Sequence, residues 1–279
     1  MQLPGGIVID GKLERDFRFK DVTGALEMDL SECMASGTSQ CTRVTGALEA
    51  SLAQLGPTSA SGQAVRNLCT GDRQFLMHRL AAHIDDGPIW LTATCGGCGA
   101  KFDVSFRHSE LPVKPAGPGF PWAETALDGT PVRLRLPTGA DQETIGAIAD
   151  EGEAVSRLVK LLIENRPAAS LDLAALSEAD LDAMEAALEA VSPEVATALL
   201  ARCPSCATEQ SIAVPPVTLS AQANELLSDV HRLATHYHWS ERAILGLKRT
   251  RRRSYLQLID ASRGMHSDID QWQIDPTDA

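Results

Sequence analysis

The sequence has few aromatic residues, a deficit of basic residues and no long apolar run. Aromatic residues make up 4% of the 279 residues, and 25 Lys and Arg stand against 37 Asp and Glu, giving a formal net charge of −12. Nucleic-acid affinity depends on phosphate neutralisation and, for single strands, on base stacking, so this composition opposes general nucleic-acid binding. No run approaches the length of a membrane-spanning helix, so we expect no membrane contact.

The residues at the start of the sequence predict no secretory signal. Residues 1–6 lack a basic region followed by an apolar core, and the seven cysteines are an odd number that cannot all pair within one chain. Both features favour the reducing cytoplasm as the compartment. The hydrophobic fraction of 44% is sufficient for buried cores in two or three compact units.

Two Cys-x-x-Cys motifs are the most specific chemical signal in the chain. They are Cys95-Gly-Gly-Cys98 and Cys203-Pro-Ser-Cys206. Together they offer four thiolates, the tetrahedral ligand set of a structural zinc site. Strand-like segments flank each motif, because residues 89–94 and 101–106 surround the first pair and 198–202 and 211–214 surround the second. This pattern is typical of a zinc ribbon, with Zn²⁺ as a structural cofactor.

Other interpretations of the cysteine pairs stay open at the level of sequence. Each pair could be a reduced dithiol without metal, or one pair could be a redox motif of the thioredoxin type. Neither pair opens a helix in a βαβ context, which favours the shared zinc ion. Four thiolates leave no coordination position for water or substrate, so we expect a structural rather than a catalytic metal.

The separation of the two cysteine pairs indicates a split ribbon. Residues 99–202, a stretch of 104 residues, lie between Cys98 and Cys203. We therefore predict a ribbon formed by 89–111 and 198–216, with 112–197 as an inserted acidic helical subdomain. Between residues 141 and 194 there are 13 Asp and Glu but only 3 Lys and Arg. These carboxylates fall on the outward faces of predicted amphipathic helices, which favours a solvated face over a catalytic pair.

Residues 1–88 are predicted to form an N-terminal α+β region. Asp10-Gly11 lies between two apolar runs and indicates a β-hairpin, which is followed by a helix. Asp72 is the predicted N-cap of a second helix that contains His78 and His83. These two histidines are five positions apart and do not share a helix face, so we expect no shared metal ion.

Residues 217–263 are predicted to form a C-terminal module of three short helices, followed by a tail over 264–279. Ser240 is a predicted N-cap, and residues 248–253 contain five basic side chains at the start of the third helix. A basic third helix is compatible with a nucleic-acid-binding helix-turn-helix or with arginines that contact acidic neighbours or a protein partner. We predict that a protein partner contacts Trp239, Arg251, Arg252, Arg253 and Tyr255.

Several segments share residues with a known family. They include Val22-Thr-Gly-Ala-Leu-Glu27 within residues 13–32, Leu134-Arg-Leu-Pro-Thr-Gly-Ala-Asp141, the segments 231–234, 237–241 and 244–247, and Arg252-Arg-Ser-Tyr-Leu256. These segments resemble the baseplate hub-assembly proteins of T4-type contractile-tailed phages, a family that also occurs in phage-like contractile injection systems of bacteria. The shared residues are packing and capping patterns rather than catalytic signatures.

The resemblance implies a non-enzymatic protein that contributes to or assists baseplate and hub assembly in the bacterial cell. Its partners are then baseplate or hub proteins of a contractile tail, and both retention in the particle and release after assembly are compatible with the sequence. The alternative is a zinc-ribbon nucleic-acid-binding regulator that acts through the basic C-terminal helix. An enzyme is disfavoured, because the sequence shows no nucleophile with an assembled base and no phosphate loop.

Overall fold

The computed structural model describes residues 1–127, 129–164, 176–217, 219 and 223–270 of the protein. The fold is mixed α+β with small antiparallel sheets, which confirms the predicted class at that level. The chain divides into two compact units. The first consists of Met1–Lys20 and Ser36–Leu219, and the second consists of Asp21–Ala35 and Ser220–Ala279. No helix in the described ranges is long and apolar enough to cross a membrane. Residues 271–279 of the predicted tail lie outside the described residues.

Helices and strands alternate irregularly along the chain. Before the first cysteine pair, the elements are β1 (Gln2–Ile9), β2 (Lys12–Phe19), α1 (Gly24–Ala35), α2 (Gln40–Ser51), β3 (Leu52–Leu55), β4 (Thr58–Ser59), α3 (Gly62–Asn67), α4 (Thr70–Ile84) and β5 (Ile89–Thr94). Between the pairs they are β6 (Lys101–Phe106), a 3-10 turn (His108–Glu110), β7 (Val113–Lys114), β8 (Trp122–Leu127), β9 (Thr130–Arg135), α5 (Gly139–Ile145), α6 (Glu151–Leu162), α7 (Glu178–Val191), β10 (Glu194–Val195) and β11 (Ala198–Arg202). After the second pair they are β12 (Glu209–Ala213), α8 (Ala223–Tyr237), α9 (Glu241–Leu245) and α10 (Arg249–Asp270).

The predicted N-terminal hairpin is confirmed. Asp10 and Gly11 both have positive φ, 50° and 76°, as the tight turn between β1 and β2 requires. Strands β3 and β4 extend the hairpin to a four-stranded sheet of order β1-β2-β3-β4. The ring of Phe17 on β2 packs edge-on against Phe75 of α4, with centroids 6.1 Å apart, so aromatic packing fixes α4 on this sheet.

Asp72 is not the N-cap of α4, contrary to the prediction. The helix begins at Thr70, Cys69 is the N-cap, and Asp72 lies in the first turn. Its buried carboxylate accepts the backbone N–H groups of Gly5 and Gly6, each at 2.8 Å, so it fastens β1 to the start of α4. Burial raises the pKa of Asp72, and the two N–H donors counteract this effect.

The segment between the cysteine pairs packs a hairpin under helices. Strands β8 and β9 pair along their full length, and α6 and α7 cover them. The buried core here consists of Cys69, Ala123, Leu127, Val132, Leu134, Leu136, Val159, Ile163, Met184 and Val191. Because Cys69 comes from the N-terminal region, residues 112–197 share their core with that region, and both belong to the first unit.

In the part of the chain that the structure describes, the second unit contains α1 in addition to the three C-terminal helices. Helix α1 packs with α8, α9 and α10, and Met28 of α1 lies against their apolar core. The buried residues of this core are Leu226, Val230, Leu233, Ile244, Leu256 and Ile259. Backbone bonds reinforce the packing, since the N–H of Gly24 donates to the carbonyl of Leu247 and that of Arg249 donates to Val22. The predicted N-cap at Ser240 is confirmed.

A four-cysteine candidate metal centre

Two β-hairpins place the cysteines in equivalent backbone turns. In the β5–β6 hairpin, the Cys95 N–H donates to the Ala100 carbonyl and the Gly99 N–H donates to the Cys95 carbonyl, both at 2.9 Å. In the β11–β12 hairpin, Cys203 makes the same two bonds with Thr208 and Ala207, again at 2.9 Å. The two turns therefore present their thiols with the same local geometry.

The residue after each second cysteine adopts a left-handed conformation. Gly99 has φ +73°, which glycine adopts at no steric cost. The equivalent residue in the other turn is Ala207, with φ 59°. A side chain in this region costs about 1–2 kcal/mol, so the second turn holds strain that the first does not.

The four thiols converge on one point. The Sγ atoms of Cys95 and Cys206 are 3.6 Å apart, and those of Cys98 and Cys203 are 3.8 Å apart. All four sulfur atoms lie within 4.8 Å of one another, and no cysteine is in a disulfide. A tetrahedral ion with sulfur ligands at about 2.3 Å separates those sulfurs by roughly 3.8 Å, so the observed spacing fits such an ion.

Burial differs systematically within the cluster. Cys95 and Cys203, the first cysteine of each turn, are buried, whereas Cys98 and Cys206 are exposed. Ala93 and Phe102 pack against the buried pair, so one side of the cluster faces an apolar core. The exposed side places two thiols at the surface, where an ion can enter.

The hydroxyl of Thr208 supports the exposed thiol of Cys206. Its oxygen lies 3.2 Å from the Cys206 Sγ, and this hydrogen bond, with the Thr208 backbone N–H, lowers the Cys206 pKa to about 6. A thiolate is the form that binds metal, so this contact favours coordination near neutral pH.

Gln210 connects the two hairpins and was not predicted from the sequence. Its side-chain oxygen accepts the Gly96 N–H at 3.1 Å, and its amide nitrogen donates to the Thr94 carbonyl at 3.3 Å. The second hairpin thus holds the backbone of the first cysteine turn directly. The alternation of β12 could have indicated this position, because Gln210 lies on the same, more buried face of the strand as Ile212.

A pair of histidines connects α4 with the segment that follows the β5–β6 hairpin. The Nδ1 atoms of His78 on α4 and His108 after β6 are 3.0 Å apart, and His78 is buried. Burial and then the neighbouring His108 lower the pKa of His78 to about 4, and burial also lowers that of His108. His83, the other histidine of α4, instead contacts the Lys20 carbonyl at 2.9 Å.

The predicted partner-binding aromatics form a cluster within the second unit. The rings of Tyr237 and Trp239 stack with centroids 4.9 Å apart, and Tyr255 packs edge-on against Trp239 at the same separation. All three side chains are half-buried. The guanidinium of Arg251 lies 5.8 Å from the Tyr255 ring centroid and remains exposed.

Arg252 occupies a different position from the one predicted. Its side chain is only 2% exposed, and its guanidinium binds Glu27 and Asp229, so it stabilises the interior of the second unit. Helical spacing explains the difference, because Arg251 and Arg253 flank it on the exposed face of α10. The predicted arginine rim therefore retains Arg251 and Arg253 as exposed members.

No family model, curated protein or solved structure matches this chain. The geometry itself defines a mixed α+β chain in which four cysteines lie close enough to bind a metal ion.

Proposed function

We propose that Cys95, Cys98, Cys203 and Cys206 bind one structural Zn²⁺ and that the two hairpins form a split zinc ribbon. The all-thiolate donor set and the sulfur separations of 3.6 and 3.8 Å support zinc as the ion. Four protein ligands complete the tetrahedron, so the ion has no position for substrate. Its effect is to hold together the two ends of the segment between the cysteine pairs.

We further propose that the protein is a non-enzymatic assembly factor or component of the baseplate or hub of a contractile tail. The observation that carries this proposal is the location of the family-like segments. Residues 22–32 lie in or next to α1, residues 231–247 run from α8 through α9, and residues 252–256 lie in α10. These three segments are far apart in the sequence, yet they belong to the second unit, whereas the family-like residues 13–20 and 134–141 belong to the first.

The exposed surface of the second unit offers both apolar and basic groups. Leu227 of α8 and Leu258 of α10 are 47% and 59% exposed, and Arg251 and Arg253 are exposed on α10. Apolar side chains within a charged rim are typical of protein–protein interfaces. We infer that this surface binds a baseplate or hub protein, with the arginines affecting association rate more than affinity.

A capture experiment tests the assembly proposal. The tagged protein is co-expressed with the baseplate and hub genes of its own system, and retained proteins are identified by mass spectrometry. We expect a baseplate or hub protein to be captured by the wild type and several-fold less by a variant with Leu258→Ser, Arg251→Ala and Arg253→Ala. A matched control is Val155→Ser with Lys160→Ala, which removes an apolar and a basic group from α6 of the first unit.

Normal particle assembly together with failed capture contradicts the assembly proposal. If particles assemble normally with the α10 variant and no tail protein is captured by the wild type, the second unit is not a docking surface for tail proteins. Zinc content is measured in the same samples, because an intact metal site with failed capture separates the zinc proposal from the assembly proposal.

A further inference from the structure

A cavity of about 430 Å³ lies in the first unit, and none of the four clustered cysteines lines it. Side chains of α2, α4 and α5 line it, and residues 214–217, which follow β12, complete its wall. A volume of this size is in the range of small-molecule sites. Among the described residues that line it, Arg73 is the only one with a permanent charge, and none is Asp or Glu.

The guanidinium of Arg73 is buried, and no carboxylate of the described residues is bonded to it. Arg73 is 2% exposed and donates to the carbonyls of Val65 and Cys41, each at 3.1 Å, and to the Thr45 hydroxyl at 3.0 Å. Its Nε has no hydrogen-bond partner within the described residues. A buried charge bonded only to neutral groups retains a large desolvation cost, and burial accordingly lowers the pKa of Arg73.

Glu143 is the acidic residue that interacts electrostatically with Arg73, but its carboxylate is hydrogen-bonded to other residues. Glu143 accepts a hydrogen bond from Arg66 at 2.9 Å and one from the Thr45 hydroxyl at 2.5 Å. Two guanidinium groups therefore stand against one carboxylate, and the cluster keeps one positive charge next to the cavity. His78 also lines the cavity, but its pKa of about 4 leaves it neutral at pH 7.

Three side-chain amides and an apolar wall complete the cavity. Gln40, Gln74 and Gln142 line it, and their amides make no hydrogen bond to any described residue. Their N–H groups can donate to an anion at no cost in existing bonds. Val44 and Met77 supply apolar surface, as does the Val-Pro-Pro-Val segment at 214–217.

We propose that this cavity binds a small organic anion, a carboxylate carried on a short hydrocarbon chain. The carboxylate lies towards Arg73 and accepts hydrogen bonds from the glutamine amides, while the hydrocarbon chain packs on Val44, Met77 and residues 214–217. Val214 donates its N–H to the Thr197 carbonyl at 2.8 Å, at the base of the β11–β12 hairpin. The bound anion thus connects α2 and α4 with the base of the second cysteine hairpin.

The experiment compares sodium hexanoate with hexanamide, a neutral probe of nearly the same shape. Binding to the full chain at pH 7 is measured by titration calorimetry and by saturation-transfer NMR. We expect one hexanoate per chain and an affinity at least tenfold higher than for hexanamide. A Gln74→Glu and Gln142→Glu variant, which places two carboxylates in the cavity without a change in side-chain size, is expected to lose hexanoate binding.

Gln63→Glu is the matched control, because the Gln63 amide bonds Asn67 on α3 and does not line the cavity. This variant is expected to bind hexanoate as the wild type does. Equal binding of hexanoate and hexanamide, no binding of either probe, or an equal loss in the Gln63 variant overturns the proposal. If the double variant does not fold, Gln74→Glu alone provides the same comparison, and the wild-type preference between the two probes decides independently.

Discussion

Arg252 on α10 donates two hydrogen bonds, at 2.9 and 2.8 Å, to the carboxylate of Glu27 on α1. The two residues are 225 positions apart in the sequence. Asp229 of α8 contacts the same guanidinium at 3.4 Å, so one buried arginine joins three helices of the second unit. Together with the packing of Met28 and the backbone bonds of Gly24 and Arg249, this ion pair holds a helix from the N-terminal region against the C-terminal ones.

Removal of the Glu27 carboxylate is expected to destabilise the second unit strongly. Glu27→Ala leaves the buried guanidinium of Arg252 with Asp229 as its one acidic partner among the described residues, and breaking a buried pair in this way costs about 3–5 kcal/mol. The free energy of unfolding, measured with urea, checks this expectation. Glu241→Ala is the control, because Glu241 is an exposed residue of α9, and a loss as large in the control contradicts the role of the pair.

Substitution of one cysteine is expected to remove the metal. Purified protein should contain one zinc per chain, and Cys203→Ser should lose it together with several kcal/mol of stability, because metal-binding free energy is folding free energy in such sites. Elemental analysis and thermal melting before and after chelation provide the measurements. The Cys33→Ser variant is the control and should retain its zinc, because Cys33 lies outside the cluster. A zinc content near zero in the wild type speaks against the site.

Gly99 and Ala207, the left-handed residues of the two cysteine turns, should respond oppositely to exchange between glycine and alanine: one variant should be more stable than the wild type and the other less stable. Ala207→Gly should stabilise the protein by about 0.5–1 kcal/mol, because the relief of strain exceeds the entropy that glycine adds to the unfolded chain. Gly99→Ala should destabilise it by a similar amount. Urea denaturation of the zinc-loaded protein measures both changes. Shifts of the same sign for the two variants are incompatible with this account.

Acid should destabilise the first unit through His78. The pKa of His78 falls from its ordinary 6.5 to about 4 in the fold, so the unfolded chain binds the proton first as the pH decreases. Stability should therefore fall from about pH 6.5 to about pH 4, by on the order of 2–3 kcal/mol for this residue. His108 has a lowered pKa and acts in the same direction.

His78→Gln isolates this contribution, because it removes the titrating ring. The unfolding free energy of the variant should depend less on pH between 4 and 6.5 than that of the wild type. His231→Gln, on the exposed surface of α8, is the matched control for the exchange of a histidine for glutamine. Parallel pH profiles for the wild type and the His78 variant exclude the effect.

Duplex DNA should not bind with submicromolar affinity. Two of the five basic residues at 248–253, Arg249 and Arg252, are buried, and Lys248 pairs with Asp21 at 2.9 Å. The formal net charge of −12 further opposes the approach of phosphate. Fluorescence anisotropy with a labelled duplex across a salt series tests this expectation. A steeply salt-dependent, tight complex instead supports the nucleic-acid-binding regulator.

Local chemistry was sufficient to predict several elements from the sequence. Asp10-Gly11 predicted the first hairpin, and Ser240 predicted a helix start, because turn and cap preferences depend on a few adjacent residues. The two Cys-x-x-Cys motifs predicted a four-cysteine cluster for the same reason, since each supplies a preformed turn.

Contacts between distant residues depended on the tertiary structure alone. Aspartate is a residue type that commonly caps helices, but the carboxylate of Asp72 accepts hydrogen bonds from the backbone N–H groups of Gly5 and Gly6 on β1. Arg252 belongs to an exposed-looking basic run, but the packing of α1 buries it. Gln210 bridges the cysteine hairpins, and Arg73 lies beside a cavity with its Nε unpartnered among the described residues. Cap and turn preferences act over a few residues, whereas the environment of a buried polar group depends on segments that only the folded chain brings together.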